Sequence, residues 1–315
     1  MRFGFVVDSS CDLPREFMTA NDIAVLPNQV RTSGEFVIDV RDPAVTADFY
    51  ARHLGEQTKE FGESIPLTSE EIERLFLEQV VPDLDYVVMI TVTAQRSPIY
   101  QRAAKALMPI LARARGVRED KGIKGPFQMR VIDSQSMFAG HGAVVLEAVR
   151  LLKGGSTSTR FYEELEKRVI PNAYGYMVPT DLYYLYSRAK MRGDKSVGFL
   201  SYTVGSTFDI KPIARAFRGQ TGPVARVRHY DDAVAALLKV VRREMERGLL
   251  APYLNISYGG DLADVPALPG YAETLALAAA KGVEVHLSPM SITAGINVGR
   301  GAFCLGFIGQ PHEFG

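Results

Sequence analysis

The sequence predicts an α/β protein in two parts: an N-terminal parallel-sheet α/β/α domain, then a C-terminal α+β domain with a mixed or antiparallel sheet. Three observations carry this. Short apolar runs alternate with amphipathic helical stretches through the first half, the pattern of a parallel sheet with helices on both faces. After "GGSTSTR" the rhythm changes to short strands of partial alternation. The length of 315 residues also exceeds the usual size of one domain. The boundary is placed near Gly155, giving domains 1–155 and 156–315.

Each element has its own justification. "FGFVVD" is a short apolar run, read as a buried parallel strand. In "SSCDLPREFMTAND" Asp12 can N-cap a helix with Pro14 in its first turn. "IAVLPNQV" reads as a second strand, and "LTSEEIERLFLEQVVPDL" as a capped amphipathic helix. "DYVVMITV" is a third strand, "SPIYQRAAKALMPILARARG" a helix ending near Gly116, and "FQMRVID" a fourth strand. "HGAVVLEAVRLLKGG" is a helix stopped by Gly154 and Gly155. Beyond the boundary, "NAYGYMVP", "VARVRHY", "LNISYGG", "VEVHLSPM" and "GAFCLGFIG" read as strands. "DDAVAALLKVVRREMERG" and "YAETLALAAAKG" read as helices among them.

Composition narrows the function. Lys+Arg and Asp+Glu both total 36, a balance that argues against a broad nucleic-acid surface. Cys11 and Cys304 lie far apart, with neither the spacing of a zinc site nor that of a disulfide scaffold. No apolar run approaches the roughly 20 residues of a membrane span, and "RFGFVVD" is too soon broken by Asp8 for a signal peptide. The expectation is a soluble cytoplasmic protein.

Two hydroxyl clusters stand out. Asp8-Ser9-Ser10 follows the first strand, where ligands bind in open α/β sheets. A phosphatase forming an acylphosphate on Asp8 needs a second aspartate two residues on, and that position is Ser10. The competing reading is that these side chains only hydrogen-bond the turn into the helix. Thr91, Thr93 and Ser97 fall at the end of the third strand and the start of the next helix, an anion site or a set of caps. "GINVGRGA" reads as a glycine-rich turn before the last strand and lacks a dinucleotide fingerprint. The histidines show no metal-ligand spacing, and no nucleophile–base pair stands out, so no catalytic, metal or cofactor residues are assigned.

Taken in order, the motifs resemble the DegV family of bacterial fatty-acid-binding proteins. "VVDSSCDLP" is similar to the family's opening Asp-Ser-x-x-Asp-Leu-Pro signature. "ESIPLTSEEI" resembles its Thr-Ser-Gln-Pro segment, keeping Ser64 and Pro66. "ITVTAQRSPIYQRAA" resembles Ser-Ser-x-Leu-Ser-Gly-Thr-Tyr-Gln-x-Ala, keeping Ser97, Tyr100 and Gln101, with Thr93 for the first serine. "VIDSQSMFAGHG" matches the next strand and its Asp133-Ser134, and "FDIKPIARAFRGQTGPVARVR" is similar to the Ile-Lys-Pro-Ile and Arg-x-Arg region. The resemblance spans essentially the whole chain. It implies a non-catalytic carrier of a long-chain fatty acid, its carboxylate on N-terminal-domain hydroxyls and its tail in the C-terminal domain. For some members it implies presentation of the acid to a fatty acid kinase subunit.

The chain departs from that pattern in its polar cluster. Lys190 stands where family members often carry arginine, Asn297 at the usual histidine, and Ala94 at the second serine of the pair. Lysine cannot hold a carboxylate bidentately as arginine does. Arg96 and Arg300 are the candidate replacements. The expected ligand-binding residues are therefore Ser64, Thr93, Ser97, Arg96, Lys190, Asn297 and Arg300. Two alternatives stand beside lipid binding: a phosphate- or acyl-transfer enzyme using Asp8 or Asp133, and a divergent member acting through protein–protein interaction.

Overall fold

The computed structural model describes residues 2–32, 34–53, 62–155, 158–181 and 209–315. In chain order the first part runs β1 (Phe3–Asp8), α1 (Arg15–Ala20), β2 (Ile23–Leu26), β3 (Asn28–Arg31), β4 (Phe36–Asp39), α2 (Pro43–His53) and β5 (Glu63–Ile65). It continues α3 (Ser69–Leu75), β6 (Tyr86–Thr91), α4 (Ile99–Asp120), β7 (Gln128–Asp133), α5 (Phe138–Lys153) and α6 (Ser158–Glu164). The remainder is β8 (Ala173–Val178), β9 (Ile210–Phe217), β10 (Gln220–Arg228), α7 (Tyr230–Arg247), β11 (Tyr253–Tyr258), α8 (Tyr271–Lys281), β12 (Glu284–Pro289), α9 (Ile292–Val298) and β13 (Phe303–Ile308).

A four-stranded parallel sheet has the order β2-β1-β6-β7. Its strands alternate between two apolar layers. Val6, Val87 and Met89 pack with Ile72 of α3 and Ala103, Ala106 and Ile110 of α4. Phe5, Val7, Val88 and Ile90 pack with Val144, Val145 and Ala148 of α5. The six-stranded sheet is mixed, β10-β9-β8-β13-β11-β12, antiparallel except for the β11–β12 pair. Tyr174, Tyr176, Ile213, Phe303, Leu305 and Phe307 turn toward α7 and α8.

Helix α5 lies between the sheets, and its sequence explains why. "FAGHGAVVLEAVRLLK" is apolar nearly all round, as a helix buried on every side requires. Small residues let its first turn press on the mixed sheet: a Cβ on Gly140 would stand 2.7 Å from Gly175 Cα. The buried Glu147 is held by Arg150 and Arg168, each at 2.7 Å.

Several local expectations change. "IAVLPNQV" is two strands, because Pro27 has no N–H to continue the ladder. β2 stays in the parallel sheet, while β3 pairs antiparallel with β4 and β5 in a separate three-stranded sheet. Helix α4 runs past Gly116 to Asp120. Its last turn is anchored by buried Arg118, which donates to Val81 O at 3.0 Å, Leu84 O at 2.8 Å and Asp85 Oδ1 at 2.6 Å. Asp12 caps nothing: Pro14 holds the N-cap of α1 without a side-chain bond. The first half of "GINVGRGA" is the end of helix α9, started by Ser291 Oγ accepting from Ala294 N at 3.0 Å.

One pH dependence follows from this core. Buried His141 donates from Nε2 to Ile90 O at 3.1 Å, while its Nδ1 has no partner. Burial holds its pKa below the ordinary imidazole value, against the pull of Asp8. Burial lowers His286 and His312 in the same way. The unfolded chain therefore binds protons that the folded chain does not, and stability should fall as pH drops below about 6.5. Urea midpoints at pH 7.5 and 5.5 check this; a flat or rising stability would contradict it.

Candidate functional site

The parallel sheet reverses its winding between β1 and β6, so their carboxyl ends flank the crevice where α/β sheets take ligands. Two aspartates build its rim. Asp8 accepts from Ser10 N at 3.1 Å, from Ser10 Oγ, and from Val92 N at 2.7 Å. Asp133 accepts from Gln135 N at 2.8 Å and from Ala94 N at 3.2 Å. The loop after β6 is thus stapled from both sides. Neither carboxylate lines the cavity formed there.

Asp12 crosses to the second sheet. Its carboxylate accepts from Ser257 Oγ at 2.6 Å and Ser291 N at 2.9 Å, and stands 3.4 Å from Arg41. Asp39 accepts from Thr293 N at 2.8 Å and Thr293 Oγ1 at 2.7 Å. Burial raises the Asp39 pKa, while Arg41 and the Thr293 donors work the other way. Ser9 Oγ accepts from Asn28 N at 3.1 Å and meets Thr293 Oγ1 at 3.3 Å. The acid and hydroxyls of "VVDSSCDLP" therefore serve first as an architectural hub joining β1, β3, β11 and α9.

Beside this hub lies a cavity of about 90 Å³, lined by polar Ser10, Asn28, Ser64, Arg96, Ser97, Thr293 and Asn297. Apolar Val92, Pro66, Pro98, Met137 and Phe138 complete it. That is room for a head group rather than a whole metabolite, since a liquid water occupies about 30 Å³. Four of the residues singled out in the sequence, Ser64, Arg96, Ser97 and Asn297, come together here from β5, the β6–α4 loop and α9.

Each has local partners as well. Ser97 Oγ accepts from Ile99 N at 3.3 Å at the start of α4. Arg96 donates from Nε to Thr221 Oγ1 at 3.1 Å and from Nη2 to Thr221 O at 3.3 Å. Asn297 Nδ2 donates to Thr293 O at 2.6 Å. Thr93 is fully buried, accepts from Gln95 N at 3.4 Å, faces Gly219 and does not line the cavity. Arg300 lines a separate cavity of about 480 Å³ with Tyr50, Tyr258 and Asp261. Lys190 lies outside the described residues. The sequence reading passed over Asn28 and Thr293. Asn28 carried a signal: an amide right after Pro27, in a strand otherwise read as apolar.

Phe138 joins the cavity to a second apolar cluster on the mixed sheet, with Val30, Met177, Ala214, Ala216, Ala302 and Cys304. Along β9 the alternation is chemical: Ile213 joins the cluster beneath α7 and α8, while Ala214 and Ala216 belong to this one. Among the described residues no helix is long and apolar enough to cross a membrane. No group of three or more His, Cys, Asp or Glu among them could hold a metal ion.

A chain of this architecture, with a hydroxyl-lined cavity at the switch point of its parallel sheet, also has relatives across its length. The model of the DegV family, described as uncharacterised proteins, matches residues 2–310, and the chain belongs to that family. It is 41% identical over 314 residues to a DegV domain-containing protein of Xanthomonas campestris pv. campestris, covering 100% of this chain and 99% of the relative. Its fold is similar to a stearic-acid-binding protein from Eubacterium ventriosum, with TM-score 0.75, 21% identity and 98% of each chain covered. It is also similar to the Fatty Acid Kinase (Fak) B3 protein of Streptococcus pneumoniae loaded with linoleic acid. There the TM-score is 0.68 and the identity 15%, covering 98% of this chain and 100% of that one.

Proposed function

We propose that this protein binds one long-chain fatty acid without chemically altering it. The carboxyl group sits in the cavity of Ser64, Ser97, Arg96 and Asn297, and the acyl tail runs from Phe138 along the small-residue face of the mixed sheet. The observation that carries this reading is the shared wall: one aromatic residue, Phe138, belongs both to a head-group-sized polar cavity and to an apolar cluster that includes Met177, Ala214, Ala216 and Ala302. Burying an acyl tail contributes about 0.8 kcal/mol per methylene, so a few polar contacts suffice to place the head. The fatty acids bound by the two structural neighbours agree with this. In this proposal residues 1–155 form the head-group side, completed by Thr293 and Asn297 of α9, and 156–315 the tail side. Presentation of the acid to a kinase subunit in the cytoplasm is the corresponding role, supported by the likeness to the Fak B3 protein. An enzyme using Asp8 or Asp133 is disfavoured, because both carboxylates are spent on backbone N–H groups away from the cavity.

The test is a titration of delipidated protein with palmitic acid. A Ser64→Ala, Ser97→Ala double variant is expected to bind about tenfold or more weakly, since each hydrogen bond is worth about 1 kcal/mol and 1.4 kcal/mol is tenfold. Thermal stability should change little, because both side chains are only half-buried. Early unfolding with unchanged binding would make them caps and nothing more.

A further inference from the structure

We infer that the cavity receives its head group in an uncharged, proton-bearing form, so that the un-ionised acid rather than the carboxylate is the bound species. The inference rests on the fatty-acid reading above and deepens it. It comes from counting hydrogens on the cavity floor, where each hydroxyl has one proton to give. Ser10 gives its proton to Asp8. Thr293 gives its proton to Asp39 Oδ2 at 2.7 Å, which leaves Ser9 as the donor in the 3.3 Å contact with Thr293 Oγ1. Ser10 Oγ and Thr293 Oγ1 therefore offer the cavity lone pairs and no hydrogen. Asn28 lines the same cavity as a residue only 5% exposed, and its Oδ1 is buried with no hydrogen-bond partner while its Nδ2 remains a donor.

The opposite wall is built of donors. Ser97 Oγ accepts from Ile99 N, so its own proton is available, and Arg96 brings a guanidinium. Committed hydroxyls at Ser10 and Thr293 opposite the free proton of Ser97 match a group with both C=O and O–H. Charge points the same way. Asp8, and Asp39 when ionised, stand one hydroxyl behind the floor, whereas Arg96 is held on the rim by Thr221. Behind them Asp12 is paired with Arg41, and Asp133 faces the backbone of Ala94 and Gln135. A bare carboxylate set against Ser10 Oγ and Thr293 Oγ1 would meet like charge behind them and no free hydroxyl proton; a carboxylic acid could donate to either oxygen.

Calorimetric titration of the delipidated wild-type chain at pH 8 tests this, with myristic acid, myristamide and methyl myristate, in buffers of different ionisation enthalpy. Myristic acid is expected to bind with uptake of about one proton. Myristamide, which both donates and accepts, should bind within tenfold of the acid with no uptake, and the ester at least tenfold more weakly than the amide. Binding of the acid without proton uptake, with the amide at least a hundredfold weaker, would overturn the inference and leave fatty acid binding standing. No binding of either acid or amide would overturn the fatty-acid reading itself, and the inference with it.

Discussion

Replacing Asp12 by alanine is expected to cost about 3–5 kcal/mol of stability, the range for removing one partner of a buried ion pair. The carboxylate is fully buried and is met by Ser257 Oγ, Ser291 N and Arg41. Arg41 is itself 6% exposed, and its Nε already lacks a partner. The substitution would remove the carboxylate paired with Arg41, leaving that cation Leu13 O, Pro289 O and the influence of Asp39, and would strand two donors at once. It would also uncouple β11 and α9 from the segment that follows β1. Urea unfolding checks the size; a loss under about 1 kcal/mol would mean the hub is not a structural tie. An added Arg41→Met change should recover part of the loss, because it removes a buried cation that has lost its paired carboxylate.

Gly306→Ala should be comparably severe, about 3 kcal/mol or more, at the upper end of overpacking costs. A Cβ there would overlap the carbonyl of Ala139 and crowd Gly140 Cα, all backbone atoms that cannot rotate away. Strand β13 and helix α5 would have to part at the point where the two halves of the molecule meet. Gly116→Ala is the matched control. That glycine sits inside helix α4 with open space around it, so alanine should stabilise by about 0.5–1 kcal/mol. Equal midpoints for the two variants would contradict the close contact assigned to β13 and α5.

Much of the fold was legible because periodicity reports burial. Strands β6 and β13 are apolar runs that the structure buries fully, and β1 and helix α5 are buried but for Phe3 and the last turn of the helix. The Thr68–Glu71 capping box opens α3 as its residues specify. What stayed hidden was set by partners distant in sequence. Gly116 should end a helix, but Arg118, two residues on, donates to Val81 O, Leu84 O and Asp85 Oδ1 and holds the last turn. β4, α2 and β5 were not assigned, because each is short and weakly patterned and β4 exposes Phe36 and Ile38. At the site, the resemblance to the family put Ser64, Ser97, Arg96 and Asn297 on one list with Thr93 and Arg300; only the fold separates the four from buried Thr93 and from Arg300 in its own cavity. Asn28 and Thr293 were missed because their role depends on which hydroxyl protons are already committed, and linear sequence does not state that.

If this chain carries one fatty acid, a native mass spectrum of the freshly purified protein will show a species heavier than the bare chain by one long-chain fatty acid, lost on denaturation and restored when delipidated protein is incubated with the acid. A spectrum showing only the bare chain, unchanged after incubation with fatty acids of short to long chain length, would contradict that reading.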